Sequence, residues 1–174
     1  MTEATTKTRS DRLSIRLARP ADLPALTGVL ADREFVEDRL ARQQLNSGWL
    51  LTAWWDGEAV GGVYVWRDLA EEDELREHLP GVPLLTHIEI APGHRGRGVG
   101  TELIRHGEAR LAAAGATRVA LAVEVTNERA ERLYRRLGYR EWAHGLITCY
   151  AEEVLADGRR KSRPETCRVL VKPL

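Results

Sequence analysis

The stretch Arg95-Gly96-Arg97-Gly98-Val99-Gly100-Thr101 lies between an apolar run and an amphipathic helical pattern, and its residue types suit an anion. Gly96, Gly98 and Gly100 reach backbone angles closed to other residues and put no side chain between an amide and a ligand. At a helix N-terminus such amides lack intrahelical partners and stand at the positive end of the helix dipole, so phosphate is a natural occupant. Arg95 and Arg97 add positive charge to the same spot. Two well-defined phosphate loops fail on spacing. A Walker A loop needs lysine and a hydroxyl after its second glycine, yet Val99 and Gly100 follow in the Gly93/Gly98 frame. A dinucleotide fingerprint counted from Gly96 needs glycine where Thr101 stands. The competing reading is a glycine-rich surface turn. Elsewhere, His87, Glu89 and Glu124 interrupt apolar runs, where a polar group requires a reason.

Holding such a turn in place takes a strand before it and a helix after it. Residues 84–91 read as that strand, ended by Pro92-Gly93, and from Val99 the positions Leu103, Ile104, Leu111 and Ala114 make a helix stopped at Gly115. Residues 119–125 are Val, Ala and Leu interrupted by Glu124, as in a central strand buried on both faces. Residues 127–137 then form a helix with Ala130, Leu133, Tyr134 and Leu137 on one stripe and Gly138 as its stop.

Upstream, residues 13–18 alternate like a half-buried strand. Asp22 is placed to cap a first helix with Pro24 in its first turn and Leu23, Leu26, Val29 and Leu30 on one face. A second helix carries Phe35, Val36, Leu40 and Leu45, ending near Asn46-Ser47-Gly48. Residues 49–55 and 59–66 make a hairpin about Asp56-Gly57. The acidic segment 68–83 is expected as an exposed connection, with a helical turn over 71–78, or as a lid. Residues 146–155 and 166–171 close the chain as a hairpin turning near Asp157-Gly158. The sum is an α/β (α+β) mixed sheet of about seven strands with helices on both faces.

At 174 residues the chain predicts one domain over its whole length, 1–174, with residues 1–11 flexible. Lys+Arg and Asp+Glu stand at 26 each, so no global field draws the chain to nucleic acid or an anionic membrane, and any cationic site is local. No apolar run approaches the ~20 residues of a membrane span, and the polar start lacks a signal-peptide core, so a cytoplasmic location is expected. Two cysteines, Cys149 and Cys167, exclude a disulfide scaffold and a four-cysteine metal site. No metal is expected. The hairpin would set the two cysteines roughly opposite each other as small buried side chains.

The sequence of strand, Arg-x-x-Gly-x-Gly turn, helix, strand, then Asn-x-x-Ala-x-x-Leu-Tyr and Leu-Gly-Tyr resembles the GCN5-related N-acetyltransferase (GNAT) superfamily. Arg95, Gly98 and Gly100 carry the first motif; Asn127, Ala130, Leu133, Tyr134, Leu137, Gly138 and Tyr139 carry the second. The resemblance covers the whole element order, with its motifs between roughly residues 84 and 142. It implies a GNAT-like, mostly antiparallel sheet splayed between the fourth and fifth strands. It also implies acetyl-CoA as donor, its pyrophosphate on the turn formed by Arg95, Gly96, Arg97, Gly98, Val99, Gly100 and Thr101. The pantetheine would pair with main-chain groups of Ile88, Glu89 and Ile90. Asn127 and Tyr134 would touch the cofactor, with helix capping and core packing as their respective alternatives.

The resemblance gives Tyr134 the role of proton donor to the departing thiolate, chemistry open to a phenol. An amine with a lysine-like pKa near ~10.4 arrives as ammonium and must lose a proton. Relatives carry an acidic base on the fourth strand shortly before the turn. Counting back from Arg95 puts Thr86 where several relatives have a carboxylate or histidine, and a bulge would change which side chains face the slot. Glu89 is therefore the first candidate base, Glu124 the second and His87 the third, each with a rim or ion-paired residue as its alternative. Proton loss through ordered water is open as well.

The implied reaction is direct attack of a primary amine on acetyl-CoA in a ternary complex; both cysteines fall in the closing hairpin, which disfavours an acetyl-cysteine route. An antibiotic, polyamine, amino acid or protein amine all remain open as acceptor. Among five tryptophans, most are expected in the core, while Trp66 or Trp142 could wall the acceptor pocket and hold a cation. The rival from another class is a non-catalytic acyl-CoA-binding sensor or interaction module; a second is transfer of a longer acyl chain such as succinyl. Relatives commonly dimerise, so a homodimer is a further expectation.

Overall fold

The computed structural model describes residues 12–155 and 158–174; the expected flexible start and Asp157 of the expected turn lie outside the described residues. Seven strands, β1 (Leu13–Leu17), β2 (Gly48–Trp55), β3 (Glu58–Trp66), β4 (Leu84–Ile90), β5 (Arg118–Glu124), β6 (Arg140–Val154) and β7 (Arg160–Pro173), form one sheet. Their order is β1-β2-β3-β4-β5-β7-β6, and every neighbouring pair is antiparallel except β4 with β5. The helices are α1 (Leu23–Leu26), α2 (Arg33–Gln44), α3 (Asp73–His78), α4 (Val99–Ala113) and α5 (Glu128–Arg136).

Helices cover both faces of the sheet. On one face, Val99, Leu103, Ile104 and Leu111 of α4 and Tyr134 of α5 pack on Val63, Val65, Leu85 and Leu121. On the other, Leu26, Leu30, Val36 and Leu40, with Leu75 and Leu79, pack on Leu50, Tyr64, Leu84, Ala120 and Val169. Alternation with period two lets one strand feed both cores. The β2–β3 hairpin turns as its sequence predicts, with Asp56 at φ 49° and Gly57 at φ 88°.

Several expectations need correction. The first helix is a single turn, because Thr27 is already extended and Gly28 follows at φ 82°, so the chain loops through Leu30, which is buried all the same. Asp22 stands before that helix without capping it. Its carboxylate accepts from the Arg19 backbone N–H at 2.7 Å and from Arg16 at 2.6 and 2.8 Å. The acidic connection is not simply exposed, since Leu75 and Leu79 are buried and seat α3 against the sheet. β5 is not buried on both faces throughout: Ala122 is exposed, because β4 has already turned away beside it. Cys149 and Cys167 are diagonal rather than opposite, pairing with Glu165 and Ile147 respectively, and both thiols are free.

Candidate active site

β4 and β5 share one register pair, Leu84 with Ala120, and then part, which is the expected splay. Beyond Leu84 the β5-facing edge of β4 has no strand partner among the described residues. The other edge of β4 pairs with β3, but with a shift: Tyr64 faces Thr86 and Gly62 faces Glu89, so Val63 stands against both His87 and Ile88. This is a β-bulge, with His87 at φ 49°.

The bulge decides which side chains enter which half of the molecule. Leu85 belongs to the α4/α5 core, and unbroken alternation would send His87 and Glu89 there as well. With one extra residue, Ile88 and Ile90 take the α4/α5 face instead, while His87 and Glu89 join Thr86 on the α1/α2 face. Glu124 falls on that same face, two residues from Ala122 and four from Ala120. Glu89 and Glu124 thus flank the splay on one side of the sheet. Two glycines let the bulge form against β3. A Cβ on Gly61 would lie 2.5 Å from the Glu89 carbonyl oxygen, and one on Gly62 would lie 2.9 Å from the Leu30 side chain.

Glu89 lines a cavity of about 360 Å³ with Gly28, Val29, Leu30 and Ala31 on one wall and Ile90, Ala91, Pro92 and Arg95 on the other. His87 holds the first wall in place. Its Nε2 donates to the Leu30 carbonyl at 2.7 Å, which fixes the tautomer because a carbonyl only accepts, and its ring lies 4.1 Å from that of Phe35. Next to this wall, Asp32 accepts from Arg160 of β7 at 2.9 Å through both carboxylate oxygens, and Arg160 also reaches Glu34 and Glu152. The β6–β7 hairpin is thereby tied to the start of α2. Thr86 donates to the Tyr64 carbonyl at 3.2 Å.

At the glycine turn, Gly96 and Gly98 have φ of 74° and 78°, and Gly98 occupies the N-cap position of α4 without a side-chain cap. Gly100 is different. It lies inside the helix, where a Cβ would meet the side chains of Ile90 and Leu133 only at ordinary contact distances of 3.9 and 3.8 Å. The amides of Val99, Gly100 and Thr101 head the helix, where no intrahelical acceptor exists. Arg97 leans over the Trp55 ring at 5.7 Å. Arg95 turns back toward β4: its Nε donates to the Ile90 carbonyl at 2.9 Å and its Nη2 to Glu89 at 3.1 Å.

Arg129, absent from the sequence reading, has its Nη2 3.9 Å from where a Gly96 Cβ would sit. It forms no ion pair among the described residues, whereas Arg132 and Arg135 of the same helix pair with Glu128 and with Glu131 and Glu141. The available signal was its position two residues after Asn127, in the first turn of α5.

Tyr134 is 8% exposed, and its ring meets Tyr139 edge-on at 6.1 Å. Its hydroxyl makes no hydrogen bond to a described residue, and burial pushes its pKa up to about 12, so it stays protonated. Asn127 caps α5, its Oδ1 accepting from the Ala130 N–H at 3.2 Å, which leaves its amide NH2 available. Behind Tyr134, the Tyr139 hydroxyl donates to Glu108 at 2.8 Å and Lys172 donates to the same carboxylate at 2.7 Å. This largely buried triad, with Lys172 half-buried at its edge, ties α4 to the end of β7.

Neither tryptophan suggested for the pocket lines it. The Trp66 ring is faced by Arg39 and Arg42 at 5.4 and 5.0 Å, and Trp142 packs beside His78 and His144 while donating to the Gly145 carbonyl. Burial pushes both cysteine thiols up, away from the nucleophilic thiolate. Among the described residues no cluster of three or more His, Cys, Asp or Glu is placed to hold a metal ion, and no helix is long and apolar enough to cross a membrane.

Comparison with known proteins agrees with this architecture. The mycothiol acetyltransferase of Corynebacterium glutamicum (strain R) is 33% identical over 85 residues, which is 49% of this chain and 26% of that protein. The streptothricin acetyltransferase of Streptomyces lavendulae is 44% identical over 52 residues, 30% of this chain and 28% of that one. The chain thus spans about a quarter of the length of these curated relatives. The PaiA N-acetyltransferase of Thermoplasma acidophilum, solved in complex with coenzyme A, shares the fold at a TM-score of 0.64 and 16% identity, over 93% of this chain and 99% of that one. Residues 18–139 match the Acetyltransferase (GNAT) family, and with more than half of its length inside that match the chain belongs to the family.

Proposed function

We propose that the chain transfers an acetyl group from acetyl-CoA to a primary amine by direct attack in a ternary complex. The observation that carries this reading is the unpaired edge of β4 after Leu84, which runs from two carboxylates on one face to an unpartnered set of amides at the head of α4. That edge can pair with the amides of an extended pantetheine, and the α4 amides with Arg129 and Arg97 nearby suit its diphosphate. When bound, acetyl-CoA supplies an activated acyl carbon and a thiolate leaving group.

The chain's residues then divide the work. Glu89, inside the cavity, takes a proton from the acceptor's ammonium; Glu124 on the same face is the next candidate, and His87, whose Nε2 is engaged by Leu30, serves to hold the loop. Tyr134 would offer a neutral O–H to the departing sulfur. A thiol's ordinary pKa of ~8.5 lies well below that of this phenol, so Tyr134 acts chiefly as a hydrogen-bond donor that stabilises the thiolate. Asn127 contributes its amide NH2 to the cofactor. Protonated thiols at Cys149 and Cys167 speak against an acetyl-cysteine step. A cytoplasmic location and a homodimer belong to the same proposal, the second testable by light scattering.

Tyr134→Phe tests the reading. The expected outcome is a fall in kcat of about 10²-fold, with CoA affinity from calorimetry little changed. A variant that keeps full turnover removes the role of Tyr134; wild-type protein that binds CoA yet releases no thiol with any amine would favour the sensor reading.

A further inference from the structure

Arg95 is the first residue of the donor turn, yet its guanidinium is spent on the acceptor side. It donates through Nε to the Ile90 carbonyl and through Nη2 to Glu89, and both Glu89 and Arg95 line the same cavity. Resting on the acetyl-transfer reading above, we propose that Arg95 is a positioning residue that couples the two substrates. Paired with Glu89, Arg95 occupies the place that the acceptor's ammonium will need, and a diphosphate arriving at the turn draws it off.

Three observations support this exchange. The two side chains are 48% and 40% exposed, so the pair is weak enough to open. A diphosphate offers a guanidinium more charge and more acceptor oxygens than one carboxylate does. Arg95 is also the one cation in contact with Glu89 among the described residues. Release of Arg95 exposes the Glu89 carboxylate to an incoming ammonium, and by linkage an ammonium held at Glu89 tightens donor binding in return.

The opposing view makes Arg95 a strut that ties the turn to β4, with Glu89 as its anchor. Calorimetric titration with CoA separates the two, using wild type, Glu89→Gln, Arg95→Gln and the double variant, at one half-buried and one exposed position. Release from Glu89 predicts that Glu89→Gln binds CoA about two- to fivefold more tightly, the range expected for an exposed ion pair. Arg95→Gln binds more weakly, and in its background Glu89→Gln has no further effect. Pantetheine, which lacks the phosphates, gains nothing from Glu89→Gln. Unchanged or weaker CoA binding by Glu89→Gln overturns the proposal, as does tightening that persists in the Arg95→Gln background, which would be simple charge repulsion. Wild-type protein that fails to bind CoA would instead remove the acetyl-transfer reading itself.

Discussion

The two sides of the β4–β5 splay are built by different means. On the α4/α5 face the candidate donor site comes from two short stretches, 95–101 and 127–134, each a helix start whose own backbone does most of the work. On the α1/α2 face the candidate acceptor site is assembled from residues far apart in the chain. Leu30 meets His87 across 57 positions, and Asp32 meets Arg160 across 128. A site made of contiguous amides survives much change in the rest of the chain, whereas a site made of remote loops changes whenever one loop does. The difference explains why the candidate donor site is legible in short motifs while the candidate acceptor site is not.

Substitutions can break or sharpen this contrast. The largest effect is expected from Leu30→Ala, which removes a side chain only 4% exposed from the acceptor-side core; stability should fall by about 2–5 kcal/mol. The contrast predicts that CoA affinity, measured below the lowered Tm, stays near wild type. Equal loss of CoA binding would mean the two sides are one unit.

Gly98→Val reverses the test. A β-branched side chain at φ 78° is strained and crowds the α4 amides, so CoA affinity should drop by at least about tenfold. Arg129→Gln should act on the same side more gently, weakening CoA about two- to fivefold at low salt and less as salt screens an exposed charge. An effect that ignores salt would place Arg129 in packing instead.

An effect of similar size concerns pH and belongs to the acceptor side. Arg16 holds the Asp22 carboxyl below its usual range. A depressed carboxylate pKa contributes stability that is present above the unfolded value of ~3.9 and is lost as pH falls through the folded value. Thermal melts should therefore show a loss on the order of 1 kcal/mol below about pH 4, absent in Asp22→Asn. A wild-type profile parallel to that of the variant would remove Asp22 from the account.

The order of strands and helices was legible because period-two and period-3.6 patterns are local, as were the Asp56-Gly57 hairpin and the Gly115 and Gly138 stops. The first helix is shorter than its apolar pattern suggests, since Val29 and Leu30 continue a pattern that the backbone breaks at Thr27, in extended conformation, and at Gly28, at positive φ. The acidic run around α3 hid Leu75 and Leu79, two buried anchors among charged neighbours. Arg129 went unread because nothing in an isolated arginine says that its helix brings it to Gly96.

By itself the sequence determined the glycine-rich turn, Tyr134 on its helical stripe and the family pattern that joins them, because backbone donors and positive φ angles are properties of a few consecutive residues. Only the tertiary structure decided that Glu89 lies on the same face of the sheet as Glu124 rather than entering the α4/α5 core. One extra residue against Val63 inverts the side-chain alternation of β4, and that register exists only once β3 and β4 are paired. It likewise decided that Arg95 points at Glu89, since a flexible side chain takes its partner from whatever the fold brings within reach.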